Sequence, residues 1–241
     1  MLSSALTSSD MLEICHTRQA YAQLTREQRL YTYLVEDAAA EVPTRENGEP
    51  LIDLRDAPGS SILRWHESLT DFHVRSGLAE RLVRVGAALH EAGFQLEVYE
   101  AFRSYEKQKR EFTEISQQIS AQHPQLTGKD LWRKITEFIA DPDLCPPHSS
   151  GGAVDVRLLD YGGSPVSMGT ELNEIHERSN LMCADLSEQH KRCRLTLLEA
   201  MLSEGFAPLP TEWWHYSYGE KYWGAFYDCD AIYTTVKGAE K

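Results

Sequence analysis

The sequence predicts an α+β fold, a small, mostly antiparallel sheet with flanking helices on one side. Two observations carry this. Apolar residues recur at period two in short runs (Phe94, Leu96, Val98; Val154, Val156, Leu158) and at helical spacing in a longer one (Leu78, Leu82, Val85, Leu89). The two kinds of segment are mixed without the regular strand–helix–strand alternation that builds a parallel sheet. With 241 residues, 41% of them hydrophobic and 25% charged, the chain has the size and composition of a soluble globular enzyme.

In chain order, residues 1–48 read as an N-terminal extension ahead of a domain spanning 49–241. A helix is predicted from Arg26 to Glu36, followed by the polar, turn-rich stretch Pro43 to Gly48. The Leu78–Leu89 pattern predicts a helix that Gly93 stops. Phe94, Leu96 and Val98 then predict a strand that delivers Arg103 to its end. Tyr105 to Ser120 reads as helix, and Thr127 caps another running to about Ala140. Three prolines and two glycines make Asp141 to Gly152 a loop. Ala153 to Leu159 reads as a strand with one buried face. Asp185 and Glu188 predict a capped helix to Gly205. There is no internal repeat.

The bulk properties weigh against several functions. A formal charge of -13 makes the chain a poor candidate for a nucleic-acid coat, which needs a basic patch, and does not suit an anionic membrane surface. The sequence has no uninterrupted apolar run of about 18 residues. Its Ser/Thr-rich start lacks the basic and apolar regions of a secretory signal. The five cysteines are scattered, without a CxxC, as in reduced cytoplasmic proteins. The expected location is the cytoplasm, with no nucleic-acid or membrane partner; the oligomeric state is left open.

Two short segments carry chemistry: His148-Ser149-Ser150-Gly151-Gly152-Ala153-Val154-Asp155 and Glu212-Trp213-Trp214-His215. They offer two imidazoles, one carboxylate able to bind a metal, and one spare carboxylate. A hydrolytic zinc takes three protein ligands and leaves its fourth position to water. A carboxylate that is not a ligand then serves as proton acceptor. No H-E-x-x-H helix is present. The glycine pair suits a tight loop entering a strand. Asp155 falls on the face opposite Val154 and Val156. Glu212 and His215, three apart, face opposite sides of an ideal strand, so both reach one metal only if the strand ends, bends or bulges. Pro208 and Pro210 make such an irregular entry plausible. Taken singly, His148 reads as a turn histidine, Asp155 as an exposed strand aspartate and Arg103 as a salt-bridging arginine; the combination points to metal chemistry. Trp213 and Trp214 read as packing walls. Cys145 reads as incidental.

These segments resemble the zinc DD-peptidase superfamily that includes VanX-type D-alanyl-D-alanine dipeptidases and VanY-type carboxypeptidases. His148, Gly151, Ala153 and Asp155 match its S-x-H-x-x-G-x-A-x-D signature, and Glu212, Trp214 and His215 its E-x-W-H. The doubled tryptophan is similar to the dipeptidase branch. Glu100-Ala101-Phe102-Arg103-Ser104 resembles the segment whose arginine meets the scissile carbonyl, and Met168-Gly169-Thr170 a stretch beside the substrate-amine site. The resemblance runs in family order over about residues 50 to 228. It implies a DD-peptidase/Hedgehog-like fold and one Zn2+ per chain held by His148, Asp155 and His215. It also implies Glu212 as base and Arg103 as transition-state stabiliser. Ser150, Trp214, Asn173 and Asp56 fall at expected substrate contacts.

Three departures bear on substrate. Pro146 replaces the serine of the first signature. Asp56 stands where the dipeptidases usually carry Tyr. Asn173 stands where they usually offer Asp to the free amine. The implied activity is zinc-dependent hydrolysis of a small D-amino-acid dipeptide such as D-alanyl-D-alanine. The alternatives are a D,D-carboxypeptidase or endopeptidase acting on peptidoglycan stem peptides, and a non-catalytic peptide-binding descendant.

Overall fold

The computed structural model describes residues 12–174 and 176–237, so parts of both segments expected from the sequence, 1–48 and 49–241, lie outside the described residues. The described chain starts with β1 (Glu13–Cys15), α1 (Arg18–Ala22), α2 (Arg26–Arg29), β2 (Thr32–Leu34) and α3 (Glu36–Ala39). The helix expected from Arg26 to Glu36 lasts one turn. Thr25 and Gln28 form a reciprocal capping box that starts it. The β-branched and aromatic residues Thr32 and Tyr33 then turn extended and pair in parallel with β1. This segment does not stand apart. Tyr21, Leu34, Val35 and Val42 share a second apolar core with Cys145, Ala225 and Ala231 from the rest of the chain.

Next come β3 (Leu51–Asp53), β4 (Arg64–Trp65), β5 (His73–Arg75), α4 (Ser76–Glu91) and β6 (Gln95–Glu100). They are followed by α5 (Tyr105–Gln122), α6 (Gly128–Thr136) and β7 (Ala153–Leu159). The chain closes with α7 (Glu188–Ser203), β8 (Ala207–Leu209), β9 (Glu212–Ser217) and α8 (Lys221–Tyr227). The main sheet has the order β4-β6-β7-β9-β8. Only its β4–β6 pair is parallel. The fold is therefore α+β with a mostly antiparallel sheet, as the periodicities predict.

Leu78, Leu82, Val85 and Leu89 line the buried stripe of α4, and Gly93 ends the turn with φ +97. Leu197, Leu198 and Met201 of α7 join them over Val154, Val156 and Leu158 of β7 in the main core. Burying such residues contributes about 1.5–3 kcal/mol each. The cap of α7 is Ser187, whose side chain accepts from the His190 amide, rather than Asp185. α6 ends at Thr136, earlier than the helix expected to reach Ala140.

Two irregularities shape the other face of the sheet. The β6–β7 register shifts between Val98 and Glu100. The β8–β9 register shifts between Pro208, opposite Tyr216, and Leu209, opposite Glu212. Extra residues on one strand bend it and re-aim its side chains. The second shift supplies the bulge that Glu212 and His215 require.

Candidate metal centre

Asp155 projects from the middle of β7, away from the Val154 and Val156 face. Its register partner on β9 is His215. His148 arrives from the loop, in a 3-10 turn over His148–Ser150 that Gly151 closes in the left-handed region at φ 71. A Cβ on Gly151 would press on the Leu51 side chain, and the left-handed φ itself favours glycine here.

All three side chains are buried. His148 Nε2 lies 3.2 Å from His215 Nδ1. Asp155 Oδ1 is 3.1 Å from His215 Nδ1 and 3.4 Å from His148 Nε2. The outer ring nitrogens are engaged elsewhere. His148 Nδ1 is 2.8 Å from the Ala101 carbonyl, which can only accept, so it carries the proton. His215 Nε2 lies 3.3 Å from Ser217 Oγ. With that nitrogen donating, both inner nitrogens present lone pairs. Three lone pairs then converge with no proton between them, an arrangement that a cation stabilises. Ligand atoms about 2.0–2.1 Å from a tetrahedral zinc stand about 3.3 Å apart, which matches this triangle. Fixing each ring through its far nitrogen is the usual second-shell device. Burial opposes a charge on Asp155; when the His148 and His215 rings are protonated on their inner nitrogens and donate to it, they outweigh burial and hold the carboxyl far below its ordinary value, a role that passes to a cation once those protons leave.

Glu212 stands beside the triangle, its Oε2 4.0 Å from His215 Nδ1. Burial pushes its carboxyl above the ordinary value, with His215 opposing. Its side chain keeps 29% of its exposure, so it faces the cavity without being sealed off. Arg103 lies beyond the end of β6. Its Nε and Nη2 donate to Glu100, and its Nη1 donates to Gln108 Oε1 at 3.1 Å. Gln108 is buried and donates to the Ala140 carbonyl, so the arginine is braced from two sides. Burial would raise the Glu100 carboxyl, yet its bonds to Arg103, with the charge that His148 carries when protonated, bring it down to about 2. The guanidinium is correspondingly held in its charged form.

A cavity of about 300 Å³ brings Arg103, His148, Asp155, Glu212 and His215 together with Asn173 and Trp214. Asn173 occupies the left-handed region at φ 63. Trp213 is buried and donates to Thr170 Oγ1 at 2.9 Å. Ser150 and Asp56 do not line this cavity. The Ser150 hydroxyl closes its own turn, donating to the Pro147 carbonyl at 2.7 Å and accepting from the Gly152 amide at 3.0 Å. Asp56 sits exposed in a 3-10 turn over Leu54–Asp56. Cys145 is buried outside the triangle, its thiol pushed up by burial. Tyr33, Gln108 and the stretch 136–140 also line the cavity. None carries a motif; Gln108 arrives in the helix that starts just after Arg103, and the others come by tertiary packing.

The site thus joins a buried His–Asp–His set able to hold a metal ion to a spare carboxylate and a braced arginine on a mixed α+β fold. The family model described as D-ala-D-ala dipeptidase, of the peptidase M15 group, matches residues 72–233, and the chain belongs to this family of peptidases. A D-alanyl-D-alanine dipeptidase of Synechocystis sp. is 29% identical over 219 residues, covering 78% of this chain and 89% of the relative. The Escherichia coli D-alanyl-D-alanine dipeptidase is 29% identical over 127 residues, covering 52% of this chain and 55% of the relative. The Enterococcus faecium D-alanyl-D-alanine dipeptidase is 29% identical over 145 residues, 58% of this chain and 69% of the relative. Among solved structures, the LdcB LD-carboxypeptidase is similar over 84% of this chain and 81% of that chain, at 20% identity and a TM-score of 0.45.

Proposed function

We propose that this peptidase is a zinc-dependent dipeptidase that hydrolyses a small D-amino-acid dipeptide such as D-alanyl-D-alanine. The convergence of three lone pairs from His148, Asp155 and His215, with Glu212 unligated beside them, carries the reading. These three residues would hold one zinc ion, which lowers the pKa of a water to about 7. Glu212 takes a proton from the attacking water and passes it to the leaving amine nitrogen. Its burial raises its affinity for that proton and suits it to both transfers. Arg103 uses three of its five donors on Glu100 and Gln108, so two remain to meet the carbonyl oxygen as it gains charge. Because Arg103 is fixed before substrate arrives, little reorganisation is needed during the reaction.

A cavity of about 300 Å³ suits a small ligand. Asn173 lines it and offers an amide oxygen to a free amine without a charge, so we propose weaker amine recognition than an aspartate would give. Retention of the whole ligand-and-base set favours catalysis over a binding-only role. Among the described residues no helix is long and apolar enough to cross a membrane, and the five cysteines are unpaired. On the latter we propose action in the cytoplasm. The test is metal analysis of the purified protein with an amine-release assay on D-Ala-D-Ala, its N-acetylated form and a tripeptide. One zinc per chain and preferred cleavage of the free dipeptide are expected. Preference for the blocked or longer substrate would favour the carboxypeptidase or endopeptidase alternative, and no hydrolysis at all would leave only a binding role.

A further inference from the structure

The metal-side cavity is not the end of the cleft. A larger chamber, about 1090 Å³, adjoins it and shares Tyr33, Glu137, Phe138, Thr211, Glu212 and Trp214 as lining. Of these shared residues, Tyr33 alone comes from outside the matched family region, 72–233. It is delivered by β2, whose three residues are all buried. Leu34 and Val35 beside it are locked into the second core with Cys145, Ala225 and Ala231. The Tyr33 ring stacks on Tyr222 at a centroid distance of 6.5 Å. Its hydroxyl donates to the Thr136 carbonyl at 3.4 Å, next to the stretch that roofs the metal side. The ring is 7% exposed and faces both spaces.

We infer that Tyr33 is a specificity-determining residue: as the partition between the two spaces, it restricts the site to short peptides. The inference rests on the peptidase reading proposed above. A Tyr side chain fills 150–250 Å² of contact surface, and such rigid aromatic walls set the size of what fits. Removing the ring joins the metal-side cavity to the outer chamber. That chamber carries Glu137, Glu174, Glu177 and Asp185; Lys134 pairs with Glu137 at 2.6 Å and Arg178 with Asp185 at 3.7 Å, which leaves Glu174 and Glu177 without an ion pair among the described residues. The excess of carboxylates favours an added residue with a cationic side chain. The N-terminal segment is on this reading a working wall of the site.

The experiment compares wild type, Tyr33→Ala, Tyr33→Leu and Tyr33→Phe. Substrates are D-Ala-D-Ala and tripeptides extended by lysine or glutamate at either end. Circular dichroism and metal content establish that each variant is folded. The tripeptide-to-dipeptide ratio of kcat/KM should rise at least about 10-fold in Tyr33→Ala, less in Tyr33→Leu, and stay near wild type in Tyr33→Phe. The gain should be larger for the lysyl than for the glutamyl extension. A folded Tyr33→Ala with an unchanged ratio overturns the inference, as does a wild type that cleaves tripeptides as well as dipeptides. Should Tyr33→Ala not fold, Tyr33→Leu decides on the same ratio. A wild type inactive on every peptide sinks the peptidase reading instead. The affinity ratio of tripeptide and dipeptide phosphinate analogues, measured by calorimetry, then tests the partition without turnover.

Discussion

His148 and His215 meet with Nε2 and Nδ1 3.2 Å apart, and each ring is anchored through its other nitrogen. In water two such faces would each hold a proton or a solvent molecule. Buried beside Asp155, they complete a group of three side chains that could hold a metal ion.

Metal removal is the first prediction. His148→Ala or His215→Ala should strip the ion and abolish hydrolysis. Chelation of the wild type should lower Tm by several degrees, since an ion bound only to the folded state stabilises it by mass action. Full zinc occupancy in the double variant, read by elemental analysis, would reject the assignment.

Glu212→Gln keeps shape and hydrogen bonding but cannot accept the proton. Turnover should fall at least about 10²-fold while zinc content stays normal. Wild-type turnover in that variant would mean that the base lies elsewhere.

Arg103→Ala should lower kcat by roughly 10²–10³-fold with a smaller change in KM, because its free donors act on charge that develops during the reaction. Steady-state kinetics separate this from a ground-state anchor, whose loss would appear in KM with kcat intact.

A fourth prediction concerns pH and lies away from the metal. Glu36 is 1% exposed; one carboxylate oxygen accepts from the Asp141 amide at 2.8 Å and the other has no partner. Burial therefore raises its pKa well above the ordinary 4.5. The folded state holds the proton more tightly than the unfolded one, so this group's stabilising contribution is complete below about 4.5 and is lost as pH rises toward the folded value. Glu36→Gln keeps the acceptor without the charge. It should raise Tm at neutral pH and flatten the decline of Tm between acidic and neutral pH. Thermal melts across that range that superimpose on wild type would refute the prediction.

What the sequence revealed follows physical range. The α4 stripe and the β7 alternation are local periodicities, and both elements form where the pattern puts them. The Arg26–Glu36 helix fails because Thr32–Leu34 gains strand pairing with β1, a partner that helical spacing cannot register. The Arg103, His148–Asp155 and Glu212–His215 segments do converge on one cavity, because each motif also encodes its turn or strand, whereas none of Met168, Gly169 and Thr170 lines it. Tyr33 reaches the same cavity through packing between distant segments, so no pattern around it signals it, whereas Gln108 follows Arg103 into the next helix and bonds it there. Ser150 lies within a motif, yet its hydroxyl is consumed by the turn that the motif builds.

The register of β7 against β9 carries a consequence for how this chain tolerates change in length. Asp155 and His215 are juxtaposed by strand pairing, so the distance between them in sequence has no bearing on the distance between them in space. The surface stretch after β7 is free to lengthen or shorten at a modest entropic cost. The seven-residue step from His148 to Asp155 and the three-residue step from Glu212 to His215 have no such latitude, since each spans a single turn or bulge. Insertions and deletions that leave the centre intact should therefore fall between the two motifs and never within them.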